Sequence, residues 1–501
     1  MSDRAHECDL LVVGGGINGA GIARDAAGRG LSVLLCEQHD LASHTSSSST
    51  KLIHGGLRYL EHYEFRLVRK ALAEREVLLD AAPHIMWPLR FVLPHEPHLR
   101  PAWMIRAGLF LYDHLARRRR LPPSETVDLR RHPAGVALRR TERKGFVYSD
   151  GWVDDARLVV LNALDAHERG AKILTRTRCA RIVPEHGAWT ATLIAADGTR
   201  HAVRARGVVN AAGPWVGGFL DQATPIRARR AVRLVKGSHI VVPRLFDHAF
   251  AYIFQNVDRR IIFAIPYEHD FTLIGTTDIE FHGDPARAAI AADEVTYLCE
   301  LASRYFIRSV TPADVVFSYS GVRPLLEDES SDPSSVTRDY SFELDDDGPP
   351  LLSVFGGKIT TYRRLAEEAL SHLLPVLGAR GPAWTHAATL PGGDMPGRDF
   401  APFRASLDAI YPSFPAALLD RWARAYGTRL SRMLEGVSTV AELGEAILPG
   451  LYAKEIHYLR RVEWAHTAED ILWRRSKLGL HLPADAVGTL EAWLARHPPG
   501  A

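Results

Sequence analysis

The stretch Asp9-Leu10-Leu11-Val12-Val13-Gly14-Gly15-Gly16-Ile17-Asn18-Gly19-Ala20-Gly21 decides how the rest of the chain is read. Leu10 to Val13 is an apolar run of the length of a buried parallel strand. Gly14-x-Gly16-x-x-Gly19 stands where such a strand turns into a helix. Gly14 permits the tight turn, Gly16 lets the backbone approach a pyrophosphate, and Gly19 lets the helix pack close to the sheet. The helix N-terminus offers phosphates its free N–H groups and the positive end of its dipole. A second apolar run, Ser32 to Cys36, ends at Glu37, 18 residues after Gly19, where a ribose-binding carboxylate belongs. A glycine triplet alone is a weak signal. With strand, helix and acid around it, nucleotide binding is the expectation, and Glu37 suits the unphosphorylated ribose of FAD or NAD rather than that of NADP.

The chain has 501 residues, room for two to four domains, with 46% hydrophobic and 24% charged residues as in an ordinary globular protein. A net charge of +2 gives no strong field to draw it to nucleic acid. Cys8, Cys36, Cys179 and Cys299 are far apart and form no Cys-x-x-Cys, which argues against a zinc site or a disulfide framework and fits a reducing compartment. Only the polar Met1 to Cys8 precede the first strand, so no signal peptide is expected, and no run of 18 apolar residues offers a transmembrane helix.

The polar run His44 to Lys51, containing Thr45, Ser46 and Ser47, reads either as a Ser-rich linker or as a second wall for the nucleotide. It leads into Leu52-Ile53-His54-Gly55-Gly56-Leu57-Arg58-Tyr59, which is not low in complexity. Glu61 to Leu79 reads as a helix with Phe65, Val68, Leu72 and Leu79 on one face, stopped by Pro83. Trp103 to Tyr112 is rich in apolar and aromatic residues, and Arg117 to Arg120 follow. Tyr148 to Asp154 reads as a strand or turn before a helix over 155–169; Lys172 to Thr175, Ala191 to Ala195 and Val203 to Asn210 read as strands. The last of these runs into Asn210-Ala211-Ala212-Gly213-Pro214-Trp215, whose small residues suit a backbone touching a ligand. Val232 to Ile279 is β-rich. Leu351 to Phe355 reads as a strand, followed by Gly356-Gly357-Lys358-Ile359-Thr360-Thr361-Tyr362-Arg363 and a helix to about Val376. This second glycine-rich turn is expected to close the nucleotide site from the opposite side. Residues 385–501 read as a separate helical domain, in which Thr467 to Asp470 resembles a capping box.

Taken together, the Gly14 fingerprint, Ser46 to Tyr59, Asn210 to Trp215, Lys236 to His239, Gly275 to Asp278, Gly321 to Leu325 and Gly356 to Arg363 resemble the bacterial aerobic FAD-dependent glycerol-3-phosphate dehydrogenases. The words Ile53 to Tyr59 and Gly356 to Tyr362 are the most specific. The resemblance implies an α/β fold: a glutathione-reductase-type, Rossmann-like FAD-binding domain (1–80, 146–230 and 321–380), a β-rich substrate domain (81–145 and 231–320) and a C-terminal helical cap (385–501). It implies FAD as cofactor, sn-glycerol 3-phosphate as substrate, dihydroxyacetone phosphate as product, membrane quinone as acceptor at the inner face of the cytoplasmic membrane, and a homodimer. No EF-hand loop is present, which separates the chain from the mitochondrial relatives.

The implied substrate is a dianion with a secondary alcohol, so it needs cations for its phosphate and a base for its C2 hydroxyl. Arg58, Arg323 and Lys358 lie in glycine-flanked words and suit phosphate oxygens. His239 titrates near neutral pH and is the expected base; with Arg323 and Lys358 it makes the expected catalytic set, and Tyr59 and Thr276 complete the substrate side. The cofactor side is expected to comprise Gly14, Gly15, Gly16, Asn18, Gly19, Glu37, Thr45, Ser46, Ser47, Lys51, Leu52, His54, Gly55, Gly56, Ala212, Gly213, Gly356, Gly357 and Thr360. Asp278 and Glu327 are read as structural, and no metal site is expected. Two further readings share parts of the pattern: a glycerol-3-phosphate oxidase that uses O2, and a noncatalytic flavin- or RNA-binding module. Trp103 to Arg120 is the expected lipid contact, against the alternative of ordinary core aromatics and solvated arginines.

Overall fold

The computed structural model describes residues 6–139, 144–256, 260–326, 340–378 and 381–498. In chain order, β1 (His6–Val13) turns into α1 (Ile17–Gly28) and β2 (Val33–Cys36); β3 (Leu52–Ile53), α2 (Phe65–Ala81), β4 (Met86–Pro94), α3 (Ala102–His114), β5 (Glu125–Asp128) and β6 (Lys144–Val153) follow. Next come α4 (Asp155–Glu168), β7 (Lys172–Leu174), β8 (Thr177–Glu185), β9 (Ala188–Ala195), β10 (Arg200–Asn210) and α5 (Val216–Ala223). The β-rich stretch comprises β11 (Val232–Pro243), β12 (Ala251–Gln255), β13 (Ile261–Tyr267), β14 (Phe271–Gly275) and β15 (Ile279–Glu280). After α6 (Ala292–Tyr305) come β16 (Phe317–Leu326), β17 (Ser341–Asp345), β18 (Leu351–Phe355) and α7 (Tyr362–Leu377).

These elements make two sheets. The first runs β17-β18-β10-β1-β2-β7, with β9 and β8 joined on through β10; from β18 to β7 its neighbours are parallel. Both faces of β1 are buried, Leu10 and Val12 beneath α1, α4 and α7, and Leu11 and Val13 beneath the β8–β9 hairpin and α5. Burial on both faces is why β1 is a continuous apolar run rather than an alternation. The second sheet runs β15-β11-β14-β13-β12-β4-β6-β3, with β16 paired to β11 and β5 to β6. Its register sets His239 opposite Gly275 on one side and Tyr319 on the other. A Cβ on residue 275 would lie 2.1 Å from the imidazole of His239, so only glycine leaves room for that ring.

The assignment of strands shifts three of the expected domain boundaries. β3, β6 and β16 belong to the second sheet, although Leu52–Ile53, residues 146–153 of β6 and Gly321–Leu326 fall within the segments assigned above to the FAD-binding domain. They cross over because each pairs antiparallel with a long strand of the second sheet, and that pairing outweighs position in the chain. The helix expected over 61–79 also begins later. Leu57–His62 forms a 3-10 turn, Tyr63 takes a left-handed conformation at φ 59°, and α2 starts at Phe65. Of the expected apolar face, Val68, Leu72 and Leu79 are buried, while Phe65 is exposed.

The C-terminal part has its own core, built around Trp422, Tyr426, Leu459, Ile471 and Trp493. Its elements are α8 (Phe400–Ile410), α9 (Ala416–Tyr426), α10 (Leu430–Met433), the two-stranded β19 (Ala446–Leu448) and β20 (Leu451–Tyr452), α11 (Ala453–Glu463), a π-helical turn (Asp470–Arg475) and α12 (Ala486–Arg496). Asp470 and Thr467 exchange side-chain-to-backbone hydrogen bonds of 3.0 and 3.2 Å, the reciprocal pattern of a capping box. Buried ion pairs join this part to the first sheet: Arg475 donates twice to Asp40 at 2.8 Å, and Arg157 of α4 grips Glu463. Among the described residues no helix is long and apolar enough to cross a membrane, and no cluster of side chains is arranged to hold a metal.

Candidate active site

A cavity of about 680 Å³ opens at the carboxyl ends of the parallel strands of the first sheet and runs against the second. Four of those strands deliver a turn to it: Gly14 and Gly16 after β1, Glu37 after β2, Ala212 and Gly213 after β10, and Gly356, Gly357 and Lys358 after β18. This is the position at which open α/β sheets bind ligands. Gly14 has φ 112°, and a Cβ there would lie 2.5 Å from the carbonyl oxygen of Ala211. A Cβ on Gly19 would lie 1.9 Å from the carbonyl oxygen of Gly14, so Gly19 serves close packing and does not itself line the cavity.

Glu37 accepts hydrogen bonds from the backbone N–H of Gly15 at 2.7 Å and of His39 at 2.8 Å, so the acid shapes the glycine turn as well as facing the cavity. Burial raises its pKa above the usual carboxylate range, and the Gly15 and His39 N–H groups oppose that rise. The polar run 44–51 is a wall of the cavity rather than a linker. Ser46 Oγ accepts from the N–H of Ile17 at 3.0 Å, and the Thr45 hydroxyl donates to the carbonyl of Val322 at 2.7 Å. Asn18 donates to the carbonyl of Gly356 at 3.1 Å and so ties the first glycine turn to the second. Its Oδ1 is buried with no partner among the described residues, a polar atom left for a ligand at the junction of the two turns. A glycine cradle, a paired acid and this open acceptor fit an extended dinucleotide.

At the second sheet the same cavity is lined by His239, Thr276, Arg323, Tyr59 and Lys358. His239 is buried; its Nε2 lies 2.9 Å from Thr50 Oγ1, its ring stacks on Tyr319 at 4.8 Å, and its Nδ1 has no partner among the described residues. Burial holds its pKa well below the ordinary 6.5, and the charges of Lys51 and Arg323 push the same way, so the imidazole is neutral. Arg323 is paired with Asp278, which reveals a partner for that carboxylate, and Lys358 sits over the Tyr59 ring at 4.2 Å. Glu327 lies outside the described residues.

Several expected site residues stand elsewhere. Lys51 is buried with its ammonium 2.8 Å from Asp155, turned away from the cavity because that carboxylate lies beneath the loop. Arg58 lines a separate groove on the other side of the 3-10 turn 57–62, whose curvature carries it away from neighbouring Tyr59. Gly55 and Gly56 shape that turn: the Gly55 N–H donates to Tyr112 at 2.8 Å, and Gly56 takes φ 76°. Ser47 and Gly15 are not on the cavity surface, whereas Leu52, His54 and Thr360 are; the backbone N–H of His54 bonds the Thr360 hydroxyl at 3.3 Å. Thr50, Trp215, Arg178 and Gln222 also line the cavity. Thr50 and Trp215 lie within the words Ser46 to Tyr59 and Asn210 to Trp215 without being singled out there, whereas no motif marks Arg178 or Gln222.

The two-part cavity defines a dinucleotide-dependent oxidoreductase in which a buried neutral histidine and two cations face the cofactor cradle. Residues 9–363 match the FAD dependent oxidoreductase family, and residues 383–495 match the C-terminal domain of alpha-glycerophosphate oxidase. A glycerol-3-phosphate dehydrogenase of Pseudomonas aeruginosa is 57% identical, covering 99% of this chain and 96% of that protein. A D-erythritol 1-phosphate dehydrogenase of Brucella abortus is 53% identical, with 97% of each covered. The structure of a glycerol-3-phosphate dehydrogenase from Bacillus halodurans complexed with FAD aligns with TM-score 0.78 and 28% identity, over 98% of this chain and 90% of that one. The chain belongs to the family of FAD-dependent glycerol-3-phosphate dehydrogenases.

Proposed function

We propose that this chain oxidises sn-glycerol 3-phosphate to dihydroxyacetone phosphate and delivers the electrons to a membrane quinone at the inner face of the cytoplasmic membrane. The observation that carries the reading is the single cavity joining a dinucleotide cradle to His239, Arg323 and Lys358. Bound FAD supplies the two-electron acceptor for the C2 hydride. Arg323 and Lys358 hold the phosphate: the guanidinium exchanges Asp278 for phosphate oxygens, and the ammonium adds a point charge. His239 takes the C2 hydroxyl proton at Nε2, the ring nitrogen that already faces a hydroxyl, that of Thr50. The incoming dianion raises the proton affinity of this imidazole, offsetting the two cations that depress it.

A second surface supports the quinone and the membrane. Leu57, Leu60, Met104, Ile105 and Ile261 line a groove with Arg58 and Arg100, one 3-10 turn away from Tyr59 in the main cavity. Around it Tyr63, Trp103, Phe110 and Leu111 are exposed, while Leu109 and Tyr112 of α3 are buried in the core, so the core reading holds for these two and not for Trp103, Phe110 and Leu111. The four-arginine run is less available than its charge suggests. Arg118 pairs with Asp113, and Arg119 and Arg120 pair with Asp80, which leaves the aromatics and Arg117 as the lipid-facing elements.

The test is an anaerobic spectrum of the FAD-loaded protein with sn-glycerol 3-phosphate, D-erythritol phosphate and glycerol in separate cells. Rapid bleaching by the first alone supports the reading. Faster bleaching by the erythritol phosphate moves the substrate to the longer polyol, which the 53% identical Brucella relative favours. Quinone reduction measured against oxygen uptake then separates the dehydrogenase from an oxidase, and flotation with anionic vesicles tests the membrane contact.

A further inference from the structure

The strongest unexplained feature is a buried ion pair beneath the loop that carries Thr50. Asp155, the first residue of α4, is fully buried. Its Oδ1 accepts from Lys51 Nζ at 2.8 Å and from the N–H of Ala156 at 2.9 Å. Its Oδ2 accepts from the Ser49 hydroxyl at 2.7 Å and from the Ser49 N–H at 3.2 Å. Lys51 also donates to the carbonyl of Ser47 at 3.0 Å, and it takes a left-handed φ of 60°, unusual for a side-chain-bearing residue. Both neighbours of Thr50 are thereby fastened to one carboxylate, and the Thr50 hydroxyl is the recorded partner of His239 Nε2. Tyr319 closes the arrangement. Its hydroxyl donates to the carbonyl of Ser49 at 2.8 Å, its ring lies 4.9 Å from the Lys51 ammonium, and the same ring stacks on His239.

We propose that Lys51 and Asp155 are a positioning pair that fixes the orientation of the His239 imidazole through Thr50 and Tyr319 and keeps it unprotonated between turnovers. This rests on the reading of His239 as the base. The groups that face the ring are Lys51 from the loop, Tyr319 and Arg323 from β16 and uncharged Gly275 from β14. Burial keeps the Tyr319 phenol protonated, with the Asp155 carboxylate acting in the same sense, so the facing charges are the two cations. Burial is the first cause of the lowered proton affinity of the imidazole, and these two cations add to it. The pair is too deeply enclosed to act on solvent or substrate directly, which separates it from Arg323 and Lys358.

The test compares Lys51→Arg, Lys51→Met and the neutral pair Lys51→Met/Asp155→Asn, because a lone Lys51→Met leaves an uncompensated buried carboxylate that destabilises the fold, whereas neutralising both partners avoids that charge. The readouts are FAD stoichiometry, calorimetric affinity for glycerol 3-phosphate, and the pH profile of anaerobic flavin reduction. The neutral pair is expected to keep FAD and substrate affinity within threefold of wild type, to slow reduction at least tenfold, and to move the acid limb of the profile to higher pH; Lys51→Arg is expected to restore both rate and limb. Unshifted reduction in the neutral pair, or a loss of rate that only follows loss of FAD, overturns the proposal. His239→Asn is run in parallel. If it reduces flavin normally, the base reading itself fails; if it is slow while the neutral pair is normal, only the positioning role fails.

Discussion

At the scale of single residues, the site divides by what each side chain touches. If Arg323 and Lys358 form the proposed phosphate clamp, Arg323→Ala or Lys358→Ala removes one charge-assisted contact worth about 1.5–3 kcal/mol, so KM for glycerol 3-phosphate is expected to rise roughly ten- to a hundredfold with FAD content unchanged. Steady-state kinetics beside absorbance at the flavin band would check this, and equal turnover of glycerol by wild type would refute the phosphate clamp. His239→Asn is expected to slow flavin reduction by about 10²–10⁴-fold at saturating substrate. Because burial and two cations depress the His239 pKa, the acid limb of kcat/KM in wild type should fall below pH 6.5 rather than at it. Arg323 and Lys358 stood out in the sequence as glycine-flanked cations, whereas His239 was singled out only with the help of the family resemblance. Arg58 stands in equally specific company, yet the turn that presents Tyr59 to the cavity carries Arg58 to the opposite side. Nothing in residue types or spacing encodes the direction in which a 3-10 turn points its successive side chains.

At the scale of elements, the first strand-turn-helix was legible almost residue by residue, because burial on both faces leaves a plain apolar run and the glycines have steric reasons. Gly14→Ala is the sharpest check. The new Cβ meets a backbone carbonyl at 2.5 Å on a residue at φ 112°, and neither can move cheaply. The variant is expected to purify with much less FAD than wild type; a normally yellow protein would show that the turn tolerates a side chain. The second sheet was harder to read. Gly321 to Leu325 looked like part of the nucleotide domain because its neighbours in sequence are, but β16 lies along β11 from Phe317 to Leu326, a pairing between residues some eighty positions apart. Local patterning carries no record of so distant a partner. The same blindness hid the break at Tyr63 and left the arginine run looking free, since the carboxylates that neutralise it, Asp80 and Asp113, lie on α2 and α3.

At the scale of the whole molecule, the C-terminal part is fastened rather than laid on. Arg157 is fully buried and reaches both oxygens of Glu463, so Arg157→Met leaves that buried carboxylate, among the described residues, with only the more distant Arg475, 3.9 Å away, and is expected to cost about 3 kcal/mol, read as a large fall in Tm; a change of a degree or two would mean that the interface relaxes around the lost pair. His84 lies at the same junction, against Gly392 and Gly427, with neither ring nitrogen bonded among the described residues. Burial, with Arg157 and Arg424 nearby, pulls its pKa down to about 3. The unfolded chain, with an ordinary histidine, binds the proton more readily, so this group's contribution is complete above pH 6.5 and is lost as pH falls toward 3, by about 1.4 kcal/mol per unit. Thermal unfolding between pH 7.5 and 4.5 should therefore show a shallower pH dependence for His84→Leu than for wild type.

The hydrogen bond from Asn18 to the carbonyl of Gly356 spans 338 residues of chain. A ribosome that has just released the N-terminal fingerprint has made half a socket. The opposite wall does not exist until nearly three-quarters of the polypeptide has been synthesised, and Arg475, which fixes the loop after Glu37 through Asp40, emerges later still. Cofactor capture is thus deferred to the end of translation, and nascent chains stalled before Gly356 should come off the ribosome colourless, however much FAD surrounds them.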